Sequence, residues 1–538
     1  MKTTETLYNT YVNVQTNNLE SVAIYTREGD IVTHRRFLSE IDKIAGWLFN
    51  RNINNLKIGI LSSSSYEEGV FLLAASKSGA VSKFIDFTKN ITEIAESIEE
   101  SSVEVLVMGA EFIPMEQFIN PKKVPVIVLG DIPNKAPHHH LYKDILKESV
   151  CDCTPAQYVE GKGTVIINSS GTTGTPKPIE LSDRAINAAV LKMANTDYPL
   201  EKGNILLKTI PSHIGMGLIT SLYTCLIVGV PMMYLGGNSP QESMRLFIGA
   251  INGFHNFLKE KQLPLNCKLL VFGAPLYFRS LFQMVEHIND LSFVGCMLAG
   301  GSAMGKEELE MMDAAFASKG CTVPVVNGYG QNEMAGAVAL NRNEMNRRGS
   351  AGIPVSGTEL LIVDIENGKP VERNTVGKIL ERSESLFVQY ENMPEQTKES
   401  FILIDGKEWF DTKDIGYIDD DGFLFITGRT SRVIIRFDVK VLLDKIESKI
   451  RMSQYVKEAG VVSVKGGVYE TPVAFITLNE EYKNTDVTPE RIIDEIQQGI
   501  NPLTEPEMVD VIYIVDSLPY RSSGKVDYRA LEQQAETK

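Results

Sequence analysis

A layered α/β architecture with largely parallel sheets, a β-rich addition and a small carboxyl-terminal α+β unit is the fold class this sequence predicts. Three observations predict it. Between Leu56 and Glu96, strand-like runs such as Ile58-Gly59-Ile60-Leu61 alternate with helical ones such as the stretch from Glu68 to Ser78, the alternation that covers parallel strands with helices. From Ala351-Gly352-Ile353-Pro354 to Val363 the pattern becomes β-dense, with turn signals at Glu366-Asn367-Gly368-Lys369 and Asp419-Asp420-Asp421-Gly422. After Gly428-Arg429 it resets to a compact stretch of about one hundred residues, an ordinary size for one domain.

The elements follow in chain order. Apolar β-branched runs at 103–108 and 126–129 continue the parallel layer. Gly163-Thr164-Val165-Ile166-Ile167-Asn168 reads as a buried strand, and Ser182-Asp183-Arg184 carries the N-cap signal of an Ala/Leu-rich helix. The loop between them is expected to join a strand to a helix. Residues 214–235 contain no charge and are long enough to span a bilayer. Gly229 and Pro231 divide them, however, which predicts a buried helix followed by a buried strand over 230–235. Strands at 433–435, 458–464 and 473–478 mark the last unit. The junction falls at Arg429 to Arg432, giving a large domain, 1–428, whose β-rich part closes its α/β layers, and a small one, 429–538.

The 538-residue chain exceeds one ordinary core, and its 43% hydrophobic content can fill two. A net charge of -16 without a long basic run excludes nucleic acid and anionic membrane as natural partners. Six cysteines are too sparse for a disulfide scaffold, and Cys151-Asp152-Cys153 lacks metal-site spacing. With no apolar core of a signal peptide behind Met1, a cytoplasmic protein with reduced thiols and no membrane span is expected. Three adjacent histidines, His138-His139-His140, follow Pro137 with no carboxylate near in sequence, so a solvated loop is expected there rather than a metal site.

The chemistry is concentrated in Ser169-Ser170-Gly171-Thr172-Thr173-Gly174-Thr175-Pro176-Lys177. Gly171 and Gly174 let backbone N–H groups converge, the hydroxyls add donors and Lys177 adds charge, a set suited to polyphosphate. Thr175 and Pro176 separate the second glycine from the lysine, which disfavours a Walker-type loop. Composition alone also admits a flexible linker. The order of the residues resembles the phosphate loop of the adenylate-forming superfamily, which contains acyl-CoA synthetases, luciferases and peptide-synthetase adenylation domains.

The resemblance extends along the chain. Pro211-Ser212-His213-Ile214-Gly215-Met216-Gly217 resembles the segment that places a histidine or aromatic near the acyl carboxylate, although His213 alone also fits a core position. Amino-acid-activating members carry an aspartate next, where Ile214 stands. Leu298-Ala299-Gly300-Gly301-Ser302-Ala303 is similar to the strand-to-loop turn flanking the adenine and acyl pockets. Asn327-Gly328-Tyr329-Gly330-Gln331-Asn332-Glu333 resembles the turn that stacks Tyr329 near adenine and holds Mg²⁺ on Glu333, with Met334 and Ala335 following into the acid pocket. Asn332 replaces the usual threonine at the α-phosphate. Asp414 takes the place of the ribose-binding aspartate, preceded by Lys413 where glycine is usual. In Gly428-Arg429-Thr430-Ser431-Arg432, Arg429 matches a ribose contact and Ser431 the hinge of a mobile small domain. Asp438 falls where glycine commonly leaves room for pantetheine, which weakens the expectation of thioester formation. Gly524-Lys525 resembles the terminal loop that brings the catalytic lysine to the reacting carboxylate.

Taken together, the resemblance implies ATP- and Mg²⁺-dependent activation of a carboxylic acid as an acyl-adenylate, with Lys525, Glu333, Thr172 and His213 closest to the chemistry. Transfer follows to CoA or to the phosphopantetheine of a free-standing carrier protein, since no carrier motif follows Lys525. Two alternatives stand beside it. One is a stand-alone amino-acid adenylation enzyme for a peptide synthetase. The other is a non-catalytic nucleotide-binding relative, motivated by Asn332, Lys413 and Asp438.

Overall fold

The computed structural model describes the chain except residues 52–55, 150–152, 170–175, 238–239, 303, 343–344, 438, 467–468, 484, 500, 521–525 and 538. The described residues of Met1–Ser169, Pro176–Glu359 and Arg382–Glu399 form one compact unit, and those of Leu360–Glu381 and Ser400–Lys538 form another. This division by packing groups the β-rich segment with the carboxyl-terminal residues. The expected junction at Arg429 to Arg432 falls within this second unit.

The first unit is built on two large sheets. An eight-stranded sheet runs, edge to edge, Gln389–Tyr390, Pro178–Ser182, Gly163–Asn168, Val81–Phe84, Lys57–Leu61, Val105–Gly109, Val126–Leu129 and His139–Leu141. From Gly163–Asn168 to His139–Leu141 its pairings are parallel. The apolar runs at 58–61, 105–108 and 126–129 are buried throughout, as strands covered on both faces must be. A nine-stranded sheet runs Ile353–Pro354, Gly336–Leu340, Val325–Gln331, Val294–Ala299, Leu269–Gly273, Ile205–Lys208, Met232–Tyr234, Val22–Tyr25 and Ile31–Thr33.

The loop expected between a strand and a helix is instead the tip of a hairpin. Pro178–Ser182 returns antiparallel on Gly163–Asn168 before the helix Asp183–Ala194 begins, capped by the Ser182 side chain. Proline at the first strand position costs no ladder bond, and Ile179 and Leu181 are fully buried on the returning arm. The uncharged stretch 214–235 gives a buried helix and then the strand Met232–Tyr234, as expected, but the helix opens with a π-helical stretch, Met216–Tyr223. Ser221 and Thr224 hydroxyls donate five residues back, to the Met216 and Ile219 carbonyls at 2.9 and 2.8 Å. Among the described residues, no helix is long and apolar enough to cross a membrane.

The histidine triplet is not a solvated loop. His139 is 5% exposed and begins a strand, and Glu116, distant in sequence, is brought to accept hydrogen bonds from His138 and His139 Nε2 at 2.6 and 2.7 Å. The Ala136 N–H donates to His139 Nδ1 at 3.1 Å. That bond leaves the ring proton on Nε2, so Nε2 offers Glu116 a proton and has no lone pair for a metal. The five described cysteines are buried and unbridged.

The second unit holds a sheet centred on Lys407–Ile418, which pairs antiparallel with Gly377–Ser383, Phe401–Ile404 and Leu424–Arg429, and Thr358–Val363 adds a fifth strand beside Gly377–Ser383. The hairpin Val433–Arg436/Val439–Leu442 and the sheet Val456–Gly466, Tyr469–Leu478 and Val511–Ile514 follow. Helices Leu443–Arg451 and Pro489–Gln498 bury Ile446, Ile450 and Ile492 against that sheet.

One buried histidine makes the fold pH-sensitive. His34, 1% exposed with Tyr11 Oη 2.8 Å from its Nδ1, is pulled down to about 4 by burial, helped by Lys202. Below about pH 6.5 the unfolded chain takes up a proton that the folded chain refuses until about pH 4, so stability is lost as pH falls through that window. We expect His34→Gln to remove up to about 1.4 kcal/mol per pH unit from the acid slope of urea stability. An unchanged slope would exclude His34 as its source.

Candidate active site

Ser169 and Lys177 close the neck of the phosphate loop. The Ser169 N–H donates to the Lys177 carbonyl at 2.8 Å, and the Lys177 N–H donates to Ser169 Oγ at 2.9 Å. Ser170, Gly171, Thr172, Thr173 and Gly174 lie outside the described residues, as do Lys525 and Asp438. The Lys177 ammonium lies 4.5 Å from the centre of the Tyr390 ring, a cation–π contact.

The turn from Tyr329 to Ala335 faces this hairpin in the same unit. Gly328, Tyr329 and Gly330 lie in the strand Val325–Gln331, whose antiparallel partner is Gly336–Leu340. A Cβ at Gly330 would stand 1.9 Å from the Gly336 carbonyl oxygen, so the two strands approach closely only because glycine is there. Tyr329 Oη accepts from Gln331 Nε2 at 3.1 Å. Glu333 accepts from Tyr390 Oη at 3.2 Å through its carboxylate and from the Phe387 N–H at 2.7 Å through its carbonyl. Met334 and Ala335 are fully buried, Ala335 in the left-handed region at φ +51°.

Asn332, singled out in sequence only as a departure from threonine, makes a bridge between two segments. Its amide nitrogen donates to the Asn168 carbonyl at 2.6 Å, and its amide oxygen accepts from the Gly215 N–H at 3.0 Å. It thus ties the end of the loop-bearing strand to the His213 segment. A threonine hydroxyl is too short to span both. Two residues on, a Cβ at Gly217 would meet the Pro211 carbonyl oxygen at 2.0 Å, so the π-helical stretch starts pressed against the chain that carries His213.

His213 is nearly buried, with Nε2 3.2 Å from Asp86 Oδ1 and its ring edge-on to Phe87 at 5.3 Å. Burial pushes its pKa down, Asp86 opposes this, and Lys208 and Lys89 add to the lowering. Behind it lie two buried charges, Lys208 and Glu68. Burial drives Lys208 down and Glu68 up, each opposed by the other's charge. Lys208 donates to the Ile210 carbonyl, while among the described residues the Tyr234 hydroxyl has no hydrogen-bond partner. A lysine closing the apolar run Ile205-Leu206-Leu207 was the available signal for this group.

Gly300, Gly301 and Ser302 follow the strand Val294–Ala299, with the Gly300 N–H donating to the Gly273 carbonyl at 3.0 Å. Gly301 and Ser302 are exposed, and among the described residues nothing stands within 4 Å of a Cβ at Gly301. This open backbone face admits a flat ligand, and the Glu333 carboxylate is the hard oxygen donor that Mg²⁺ requires, so the residues present fit a nucleotide with its cation.

In the second unit Asp414 and Arg429 are cross-strand partners, Arg429 Nε lying 2.9 Å from Asp414 Oδ1, with Asp414 2% exposed. Lys413 occupies a left-handed position at φ +62°, which accounts for glycine being usual there. Its N–H donates to Asp411 Oδ1 at 3.0 Å and its ammonium to Asp411 Oδ2 at 2.8 Å. Ser431 is exposed in the short turn Thr430–Arg432. The structure thus gathers Ser169, Lys177, Asn332, Glu333 and His213 in one unit and Asp414, Arg429 and Ser431 in the other.

The profile of the family described as AMP-binding enzyme matches residues 12–391, and that of the AMP-binding enzyme C-terminal domain matches residues 445–525. The chain therefore belongs to the AMP-binding enzyme family, within the adenylate-forming superfamily. It is an enzyme that uses ATP to convert a carboxylic acid to an acyl-adenylate and then passes the acyl group to a thiol. It is 25% identical over 541 residues to the putative acyl–CoA ligase YdaB of Bacillus subtilis, covering 99% of each chain. It is 25% identical over 533 residues to 2-succinylbenzoate–CoA ligase of Bacillus cytotoxicus, covering 96% of this chain and 97% of the relative. Its fold matches ATP-bound MatB from Rhodopseudomonas palustris with a TM-score of 0.83 at 20% identity, over 98% of this chain and 99% of the other.

The Asn332 bridge is testable on its own. Asn332→Asp replaces the donor to Asn168 with an acceptor, and we expect a loss of about 1–3 kcal/mol in urea unfolding at neutral pH. A parental unfolding midpoint would show that the amide does not bridge these segments.

Proposed function

We propose that the thiol acceptor is CoA and that the acid lacks an α-ammonium group. Similarity over nearly the full length to CoA ligases is the observation that carries the first part. Ile214 beside His213 supports the second. The carboxylate that the fold brings to this place, Asp86, spends Oδ1 on His213 and on the Thr88 amide and hydroxyl.

Activation joins two anions, since the acid carboxylate must attack the α-phosphorus while pyrophosphate leaves. On this reading, the loop hydroxyls with Thr172, Lys177 and the Lys525 ammonium hold the phosphates and offset the charge spread over the pentacoordinate phosphorus. Mg²⁺ on Glu333 would supply a further hard positive charge. Asp414 and Arg429 are assigned to the ribose, and Tyr329 with Gly300, Gly301 and Ser302 to the adenine face. The nearly buried His213, with Met334 and Ala335, is assigned to the acid. Rotation of residues 429–538 about Ser431 then withdraws Lys525 and admits the thiol, so one site serves two half-reactions. The buried free thiols suit a reducing, cytoplasmic setting.

The test is acid-dependent pyrophosphate release from Mg·ATP across fatty, aryl, hydroxy and amino acids, with and without CoA. Release raised by an acid and raised further by CoA supports the proposal. Stimulation by acid alone moves the acceptor to a carrier protein, and stimulation confined to amino acids overturns the substrate class. Lys525→Ala is expected to cut adenylate formation by at least about 100-fold while ATP binding stays within severalfold. Unchanged adenylation would remove Lys525 from the mechanism.

A further inference from the structure

The two-residue strand Gln389–Tyr390 sits at the edge of the eight-stranded sheet, against the arm that leaves the phosphate loop. Tyr390 pairs with Ile179 and Gln389 with Glu180. The Val388 and Glu391 N–H groups extend the ladder, donating to the Glu180 and Pro178 carbonyls at 2.8 Å each. So short a strand is marginal by itself, and it is anchored from below. Glu391, 2% exposed, takes Lys57 Nζ at 2.5 Å and the Ser101 hydroxyl, to which buried Lys83 donates. The Tyr390 N–H donates to Thr397 Oγ1 at 2.9 Å. Burying such charges is costly unless they are paired, and their common effect is to fix the position of this strand.

From that fixed strand two functional groups are reached at once. The Tyr390 ring is 5% exposed and packs on Phe387 at 4.8 Å. Its hydroxyl donates to Glu333 Oε1 at 3.2 Å, and its face carries the Lys177 ammonium at 4.5 Å. The neighbouring Phe387 N–H holds the Glu333 carbonyl at 2.7 Å. A carboxylate with one oxygen tethered to a phenol keeps its plane, and an ammonium on a buried ring keeps its place without losing charge to an acid.

We propose that Tyr390 is a positioning residue for the polyphosphate, its hydroxyl orienting the Glu333 carboxylate toward the cation and its ring shelving Lys177 toward the phosphates. The proposal rests on Glu333 being the Mg²⁺ contact. The two functions of the side chain are separable, because Tyr390→Phe removes only the hydroxyl whereas Tyr390→Leu removes the shelf as well.

The experiment is calorimetric binding of ATP without acid, in the absence of metal and with Mn²⁺ as the probe, on the parent, Tyr390→Phe, Tyr390→Leu and Glu333→Gln, each with its urea unfolding midpoint. For Tyr390→Phe the Mn²⁺ contribution should weaken about tenfold, the scale seen when an outer partner of a metal-binding carboxylate is lost, with metal-free ATP binding and the midpoint unchanged. Tyr390→Leu should weaken metal-free ATP binding as well. Parental Mn²⁺ affinity in Tyr390→Phe, with Glu333→Gln impaired, overturns the role of Tyr390. A lowered midpoint tracking the affinity loss overturns it too, by reducing the residue to scaffold. Parental Mn²⁺ affinity in Glu333→Gln instead overturns the assignment of the metal to that carboxylate.

Discussion

The paired hydrogen bonds between Ser169 and Lys177 close the neck of the phosphate loop and force its two arms to run antiparallel. Much else in the first unit follows from that closure. Because the chain returns as Pro178–Ser182 and not directly as a helix, the sheet gains an edge onto which Gln389–Tyr390 can add. Because Asn168 ends the outgoing arm, its carbonyl is available to Asn332, and through Asn332 to Gly215. The neck of the loop, the Glu333 turn and the His213 segment are therefore held to one another by short polar bonds between backbone and side chain. Such bonds are directional, which suits groups that must meet a phosphorus atom within a few tenths of an ångström.

A second theme is charge placed where water cannot reach. Lys208 and Glu68 lie behind His213, and Glu391 with Lys83, joined through Ser101, lies beneath Tyr390. In each case the charged pair sits one residue or one layer away from a group assigned to substrate. The stability of such arrangements comes from mutual compensation, and it makes them sensitive to loss of a single partner.

The sequence carried the α/β class through its apolar runs, because parallel strands buried on both faces leave continuous β-branched segments such as residues 58–61 and 126–129. The hairpin arm at 178–182 was hidden by Pro176-Lys177-Pro178, which reads as loop, although the burial of Ile179 and Leu181 makes it a strand. The histidine triplet was misread because its partner, Glu116, is supplied by tertiary structure. The π-helical stretch has no signature in composition. The motifs pointed to Glu333 in the first unit and to Asp414 and Arg429 in the second, where the last two are cross-strand neighbours. Tyr390 and Asp86 escaped notice since a single aromatic or acid outside a motif has no pattern to distinguish it, Lys208 because a charge ending an apolar run looks like an interruption, and Glu68 because an acid in the first turn of a helix looks like an ordinary solvated one.

The late position of Gln389–Tyr390 in the chain has a consequence for biogenesis. During synthesis the arm Pro178–Ser182 emerges long before the strand that covers it, and its outer edge of unpaired carbonyls and amides stays open until residue 391 has left the ribosome. In that interval the nascent chain presents an open hydrogen-bonding edge, the kind of template on which another chain can pair. The sheet can thus complete itself only when the segment that carries Tyr390 has been made.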